Sequence, residues 1–244
     1  ENGQYKVVEE QPSSERMTTS EKNLFLSGEV RVTTPAGAAE SSIKINPVNP
    51  NLVIAGANGP GGGQTMYYSS DGGVTWTMST LPLGNTCCDP TVEWSSDGQF
   101  AYAGALGNNF GIWFYRSSDN GQTWTDLQNI TPGDPRRELA NSGSDKEFLH
   151  VDKHASSPHL DNVYMSWHSG NVQQFGRSTD QGNTWVNTSF NADPIGIGSD
   201  ITTSPNGDIY YFWHAFNTRQ ILVKRSRDGG ATFLPGTVQV APTQ

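Results

Sequence analysis

The chain has 244 residues, of which 27 are glycine and 14 are proline, and only 16% are charged. This composition is typical of many short strands joined by tight turns and excludes a largely helical or disordered protein. The net charge of −9 argues against a nucleic-acid partner, and without an apolar run of 18 residues we expect no membrane span.

The first 26 residues are polar, and we treat them as a segment separate from residues 27–244. The chain begins in this polar stretch at Glu1, which resembles a processed N-terminus. Residues 27–33 (SGEVRVT) then read as one strand.

Four copies of the pattern Ser-x-Asp-x-Gly-x-Thr-Trp follow, and the last has Phe233 in place of Trp. Their Asp residues are separated by 48, 61 and 48 positions; they are Asp71, Asp119, Asp180 and Asp228. A repeat of this period means one supersecondary unit copied along the chain. With several short strands per copy, it predicts the blades of a β-propeller.

Each copy aligns on the same four antiparallel strands, with the box between the third and the fourth. The predicted strands are 42–46, 52–57, 65–69 and 75–79; 91–94, 100–105, 112–116 and 123–127; 147–151, 162–167, 173–177 and 184–188; 201–203, 208–214, 221–225 and 232–234, with 237–240 as an extra strand. The blades extend over about 40–80, 86–128, 143–190 and 196–240. We therefore predict an all-β propeller, either a small closed ring or part of a larger one, with residues 27–33 completing the last blade.

The box itself is explained by turn mechanics. Its Asp can accept backbone N–H groups within its own turn, and its Gly supplies a position with positive φ. A group present four times does not make a unique active centre. We therefore predict a structural role for the four Asp residues.

These motifs resemble the Asp-box (BNR) repeats of the sialidase-like propeller superfamily, over roughly residues 40–240. The resemblance implies a hydrolase, a lyase or a binding module, because this fold does not decide function. Sialidases carry an Arg-Ile-Pro motif whose arginine belongs to a carboxylate clamp, together with a Tyr–Glu nucleophile and an Asp acid/base. This chain has no Arg-Ile-Pro; only Arg16 and Arg31 precede the first box.

In a propeller, the start of the innermost strand and the end of the second strand surround the central funnel. Each blade is expected to deliver one carboxylate there, followed in two blades by a histidine. We assign Asp145, Glu147, Asp200, His168 and His214 to catalysis, and Glu40, Asp89, Arg136, Arg137 and the funnel aromatics Trp167 and Trp213 to substrate binding.

Carboxylates close together raise one another's pKa, which suits general acid/base work in glycoside hydrolysis. The same ring of oxygens could hold Ca²⁺ instead, or the acidic residues could simply cap strand starts. A second group of polar residues, His150, Asp152, Lys153, His154, His159 and Asp161, matches no fixed zinc spacing, which favours a surface loop.

The only cysteines are adjacent, Cys87 and Cys88. Cα atoms across one trans peptide are about 3.8 Å apart, shorter than the usual range of about 4.4–6.8 Å for a disulfide. Either a vicinal bridge or two thiols is compatible with the sequence, and a bridge implies an oxidising compartment.

The sequence thus predicts an extracellular or periplasmic propeller that acts on glycans, with a glycoside hydrolase as the leading hypothesis. The absent Arg-Ile-Pro motif favours the alternative, a non-catalytic module that binds carbohydrate or protein. A third alternative is a structural subunit that forms homo-oligomers through its blade edges.

Overall fold

We describe the protein from a computed structural model, which covers residues 30, 32, 37–59, 63–82, 86–107, 110–125 and 143–243. The chain divides into the units Glu1–Arg31 and Val32–Gln244, and all described strands belong to the second. Of the strand predicted over 27–33, only Val30 and Val32 are described, and neither lies in a strand.

The described residues form fifteen strands in four antiparallel sheets and no helix, so no helix there is long and apolar enough to cross a membrane. The strands are β1 (Ala39–Ile45), β2 (Val53–Asn58), β3 (Gln64–Ser69), β4 (Thr77–Ser79), β5 (Thr86–Trp94), β6 (Ala101–Gly107), β7 (Ile112–Ser117), β8 (Ser144–Val151), β9 (Val163–Ser169), β10 (Val172–Ser178), β11 (Val186–Ser189), β12 (Gly196–Thr203), β13 (Ile209–Ala215), β14 (Gln220–Ser226) and β15 (Val238–Pro242).

Each sheet is one blade. Blade 1 is β1–β4, blade 3 is β8–β11 and blade 4 is β12–β15, all with consecutive strands as neighbours. Blade 2 has three strands, β5–β7, and its fourth position shows a single bridge between Arg116 and Thr125, beyond which residues 126–127 are not described. The predicted fold of four Asp-box blades is confirmed.

The outer strand of blade 4 differs from the prediction. Residues 232–234 are not a strand, although the N–H of Leu234 donates to Arg225 O at 2.8 Å. The fourth strand is β15, which pairs with β14 and overlaps the predicted extra strand at residues 238–240. Pro235 and Gly236 lie between the two segments and break the extended run, since Pro has no N–H to donate.

Successive blades bury their faces against each other. We call the side of a blade toward the next blade in the chain its front face, and the side toward the preceding blade its back face. Three apolar clusters lie between blades 1 and 2, 2 and 3, and 3 and 4, centred on Trp94, Trp167 and Trp213 respectively. Because both faces of an inner blade are covered, all seven residues of β6 are buried.

The four Asp-boxes form identical turns. In each, the Ser hydroxyl donates to Asp Oδ1 at 2.7–2.8 Å and accepts the N–H of the box Gly at 2.8–2.9 Å. The Thr N–H donates to the same Asp oxygen at 2.8–2.9 Å, and the Thr hydroxyl donates to the other at 2.5–2.6 Å. The carboxylate therefore closes the turn.

These hydrogen bonds favour the ionised carboxylate. The Thr75 hydroxyl and N–H, followed by the Ser69 hydroxyl, lower the pKa of Asp71 from its ordinary value of 3.8 to about 2. Burial alone would raise the pKa of Asp180, but the hydrogen bonds from Thr184 and Ser178 outweigh it and the pKa is lowered. The group is therefore charged at neutral pH, where it serves only as an acceptor.

Asp180→Ala should lower the free energy of unfolding by about 1–3 kcal/mol at pH 7, because it leaves the Thr184 N–H and two hydroxyls without their acceptor. Urea denaturation measures this. The control is Thr179→Ala in the same box, since Thr179 is exposed and the change should stay within about 0.5 kcal/mol.

The pH dependence provides a second check. A carboxyl group whose pKa is lower in the folded protein than in the unfolded chain stabilises the fold above its ordinary pKa. This contribution disappears as the pH falls through the pKa that the group has in the folded protein. The difference in the free energy of unfolding between wild type and Asp180→Ala should therefore decrease as the pH falls below about 3.8. A difference independent of pH would contradict the charged-acceptor role.

Candidate functional site

Each innermost strand carries a β-bulge near its start. The register with the second strand shifts between Ala39 and Ser42, Cys88 and Thr91, Asp145 and Phe148, and Ile197 and Asp200. The first residue inside each bulge has positive φ; these residues are Glu40 (47°), Asp89 (52°), Lys146 (55°) and Gly198 (67°). The bulge makes these four positions structurally equivalent.

This equivalence corrects the expected ring of one carboxylate per blade. Glu40 and Asp89 do occupy matching positions, but Asp145 lies one residue before the position and Asp200 two residues after it. Blade 3 presents Lys146 instead, and blade 4 presents Gly198. Sequence alignment could not place the extra residues, because a bulge is a property of the pairing between two strands.

Lys146 connects three blades at this rim. Its Nζ lies 3.0 Å from Asp89 Oδ2 of blade 2 and 3.5 Å from Glu40 Oε1 of blade 1. The Asn58 amide also donates to Glu40. Burial alone would lower the pKa of Lys146, but the hydrogen bond and charge of Asp89 outweigh it and the pKa is raised.

Asp89 shows the opposite shift. Burial alone would raise the pKa of its carboxyl, but the hydrogen bonds with Glu40 and Lys146 and the Lys146 charge lower it. Asp89 is therefore an ionised carboxylate held in place by an ammonium group.

A pocket of about 230 Å³ opens at this ion cluster. Its lining combines the bulge residues of three blades: Glu40, Ser41, Asp89, Pro90, Lys146, Glu147 and Phe148. No arginine is among these lining residues. The pocket thus presents two carboxylates and one ammonium group, and it is also lined by Glu147, whose two carboxyl oxygens are buried.

Glu147 is the most unusual group in the pocket. It is only 2% exposed, and no described residue donates a hydrogen bond of acceptable geometry to either carboxyl oxygen. Burial raises its pKa well above the ordinary value of 4.5, the nearby charges of Asp89 and Asp145 raise it further, and its own N–H opposes this only in part. Burial therefore favours the neutral, protonated form of the Glu147 carboxyl group.

Asp145 and His168 lie beside the pocket, on the same blade. Asp145 pairs with His168 across the sheet, and His168 Nε2 lies 3.9 Å from Asp145 Oδ2. Burial lowers the pKa of His168, which outweighs the opposing effect of Asp145. The imidazole is therefore neutral at pH 7, and neither ring nitrogen has a hydrogen-bond partner among the described residues.

Other predicted site residues lie elsewhere. Asp200 and His214 are on blade 4 and do not line this pocket; Asp200 Oδ1 accepts the N–H of Ile201, and His214 Nε2 lies 3.2 Å from Thr243 Oγ1. Arg136 and Arg137 lie outside the described residues.

The expectation that Trp167 and Trp213 are exposed in the funnel is wrong. Both are buried, because they point to the back faces of blades 3 and 4, where they pack against the preceding blade.

Cys87 and Cys88, directly before Asp89, form a disulfide. Among the described residues, no group of three or more His, Cys, Asp or Glu side chains is arranged to hold a metal ion. The polar loop of blade 3 makes structural contacts instead: Asp161 accepts from the Ser96 N–H at 2.7 Å, and His154 Nε2 lies 3.0 Å from Thr203 O.

Sequence reasoning overlooked Lys146 and Asn58. Lys146 lies between Asp145 and Glu147 in the sequence, and these two acidic residues matched the expected carboxylate at the start of each innermost strand. The Asn58 position offered a weak signal, since it aligns with His168 and His214 at the end of the second strand.

Comparison with known proteins supports the fold. The BNR/Asp-box repeat family model matches residues 67–78, which contain the first box and the adjoining ends of β3 and β4. No curated protein matches the sequence. Among solved structures, the BP39L lectin from Burkholderia pseudomallei has a TM-score of 0.64 at 10% identity, over 88% of this chain and 59% of that one.

Two glycan-active enzymes are also similar. The intramolecular trans-sialidase from Ruminococcus gnavus has a TM-score of 0.57 at 14% identity, over 86% of this chain and 72% of that one. The GH74 xyloglucanase from Xanthomonas campestris has a TM-score of 0.55 at 15% identity, over 83% of this chain and 31% of that one. This chain therefore spans less than two thirds of the xyloglucanase and of the lectin. The likeness confirms the β-propeller fold.

Glu147→Gln should change how stability depends on pH. A carboxyl group whose pKa is higher in the folded protein than in the unfolded chain does not destabilise the fold below its ordinary pKa of 4.5. As the pH rises from there toward the raised pKa, the free energy of unfolding decreases, because the group ionises in the unfolded chain but stays protonated in the fold. Wild type should therefore lose stability above about pH 4.5 from this group, and Glu147→Gln, which stays neutral, should lack that loss. Urea denaturation from pH 4 to 9 compares them. Parallel curves would show that Glu147 is ionised in the fold.

Proposed function

We propose that this Asp-box propeller binds a glycan at the pocket of Glu40, Asp89, Lys146 and Glu147 and hydrolyses a glycosidic bond there. The observation that carries the proposal is the buried Glu147, whose pKa is raised, in the same pocket as Asp89, whose pKa is lowered. Glycoside hydrolysis commonly uses two carboxyl groups whose surroundings separate their pKa values, one as the general acid and the other as the general base.

The roles follow from the protonation states. On glycan binding, the buried carboxyl group of Glu147 has to reach the glycosidic oxygen, to which it donates its proton as the bond to the anomeric carbon breaks. Water adds to that carbon, and Asp89 accepts the proton that the water releases. Lys146 keeps Asp89 ionised and correctly placed, and so acts as a positioning residue.

The charges indicate a neutral rather than an acidic sugar. A sugar carboxylate would meet Glu40 and Asp89, and the lining offers no arginine to clamp it. This agrees with the absence of an Arg-Ile-Pro motif from the sequence. The substrate of the proposed reaction is therefore a neutral glycan.

A second candidate function is glycan binding without turnover. It is favoured by the ion pairs of Lys146, which engage both Asp89 and Glu40 and so compete with any proton transfer to Asp89. The similarity to a lectin fold is compatible with this alternative.

We further propose an extracellular or periplasmic location. The support is the disulfide between Cys87 and Cys88, since disulfides persist mainly in oxidising compartments.

A panel of neutral and acidic glycans, assayed for both binding and product release, tests the function. We expect turnover of a neutral glycoside, and Glu147→Gln should lower kcat by about 10²-fold or more while ligand binding persists. Thr179→Ala, distant in the Asp-box turn, controls for handling of the protein.

The outcomes separate the candidates. Binding that Glu147→Gln leaves intact, with no product from any glycoside, would establish the binding module. Turnover restricted to acidic sugars, or turnover unchanged in Glu147→Gln, would overturn the proposed pocket chemistry.

A further inference from the structure

A repeated hydrogen bond joins the innermost strands of successive blades. The hydroxyl of Ser42 in blade 1 accepts the N–H of Val92 in blade 2 at 3.2 Å. The hydroxyl of Thr91 in blade 2 accepts the N–H of Leu149 in blade 3 at 3.0 Å. Both hydroxyls lie two residues after the bulge residue of their own blade, and both N–H groups lie three residues after it. A small hydroxyl residue at this position of the front face therefore helps one blade to dock on the next.

Blade 3 has Phe148 at this position. A phenylalanine side chain cannot accept such a hydrogen bond, and the equivalent donor in blade 4, the N–H of Ile201, is bound by Asp200 Oδ1 at 2.7 Å. Leu149 and Val151 point to the back face of blade 3, so Phe148 points to the front face. It is 42% exposed and belongs to none of the three apolar clusters between the blades. Phe148 thus provides an accessible apolar ring where blades 1 and 2 have a docking contact.

This ring lines the same pocket as Glu40, Asp89 and Lys146. Ligand pockets combine aromatic walls with a few polar groups that fix the orientation of the ligand. A sugar has matching chemistry, because a face of a pyranose ring carries C–H groups while its hydroxyls project from the edge. The electron-rich face of an aromatic ring attracts such polarised C–H groups. An exposed ring beside three charged groups is therefore suited to a sugar whose hydroxyls bind those charged groups.

The size of the pocket limits what it holds. Its volume of about 230 Å³ is below the range of about 300–1,000 Å³ that is typical of ligand sites. It is therefore suited to a single sugar, and a longer glycan has to extend beyond it.

Polar groups continue from the pocket along the front face of blade 3. Register pairs Phe148 with Ser166, and His168 lies two residues further along the same face. Neither ring nitrogen of His168 has a hydrogen-bond partner among the described residues. Asp145 Oδ2 lies 3.9 Å from His168 Nε2, and the Asp145 side chain is 45% exposed. A second sugar on Phe148 therefore has a carboxylate acceptor for its hydroxyls on the same blade.

We propose that the bound glycan is a chain of neutral hexopyranoses that extends along blade 3. One sugar occupies the pocket, and the next stacks on Phe148 with its hydroxyls toward Asp145. Because equatorial hydroxyls leave only C–H groups on the faces of a ring, β-linked glucose fits this platform best. The inference rests on the proposed function and adds to it the length and the configuration of the glycan.

Calorimetric titration with methyl β-glucoside, cellobiose and cellotriose tests this, using Glu147→Gln so that the ligand is not consumed. Cellobiose and cellotriose should bind at least about tenfold more tightly than methyl β-glucoside, because only they place a second sugar on Phe148. Adding Phe148→Thr should abolish this gain, whereas Phe148→Tyr keeps the ring and should retain it. Blade 2 has Thr91 at the equivalent position, so Phe148→Thr is compatible with the fold.

Phe212→Thr is the matched control. Phe212 is a phenylalanine of similar exposure, 40%, in a strand of blade 4, and it does not line the pocket. The change should alter the affinity for cellotriose by less than about twofold. Circular dichroism verifies that each variant is folded, and Phe148→Leu, which is apolar but has no ring, replaces Phe148→Thr if the latter does not fold.

The outcomes distinguish this inference from the proposed function. Equal affinity for methyl β-glucoside and cellotriose, no binding of either oligosaccharide, unchanged binding in Phe148→Thr, or an equal loss in Phe212→Thr would each overturn the inference. In each of these cases, turnover of a glycoside that is lost in Glu147→Gln would still support hydrolysis. Binding that depends on Phe148, without turnover of any glycoside by wild type, would support the inference and contradict hydrolysis.

Discussion

The structure depends on the burial of both faces of a sheet between its neighbours. An isolated four-stranded sheet with two apolar faces would expose both of them to water, so each blade requires a partner on either side. In blades 2 and 3 this demand is met from both directions, and residues such as Ala103, Tyr102 and Met165 are fully buried. The Asp-boxes lie in the turns between strands, and their aromatic residues contribute to these interfaces: Trp124 is buried between blades 1 and 2, and Trp185 and Phe233 pack against the next two clusters. The common geometry of the four boxes fixes the hairpins.

The same scaffold turns four similar bulges into one asymmetric pocket. A positive φ is unfavourable for residues with a side chain, and blade 4 has Gly198 at this bulge position. Blades 1, 2 and 3 nevertheless place Glu40, Asp89 and Lys146 in this conformation, at a cost of about 1–3 kcal/mol for each such residue. Strain of this kind is typical of functional sites, where a strained backbone conformation is retained because it orients a side chain. Three charged side chains thereby converge on one rim.

Local patterns in the sequence predict the hairpins well, and the site only in part. The Asp-box could be predicted completely, because its hydrogen bonds join residues such as Ser178 and Thr184 within one turn. The bulges could not, since they depend on pairing between strands. Neighbouring residues of a strand point to opposite faces, so Trp167 and Trp213 point to the buried back faces although the adjacent His168 and His214 point to the front faces. Glu147 was selected as one acid among several, and its neutrality depends on burial that only the packed blades provide.

The pocket and the packing of the blades depend on the same contacts. Lys146 joins blade 3 to Asp89 of blade 2 and Glu40 of blade 1, so without its charge two carboxylates would face each other at the rim. Its neighbour Glu147 is desolvated by the approach of the same blades. If the blades separated slightly, water would reach Glu147, its pKa would fall toward the ordinary value, and the carboxyl would no longer be a proton donor at neutral pH. The chemistry proposed for this pocket is therefore a direct consequence of tight packing between blades 2 and 3.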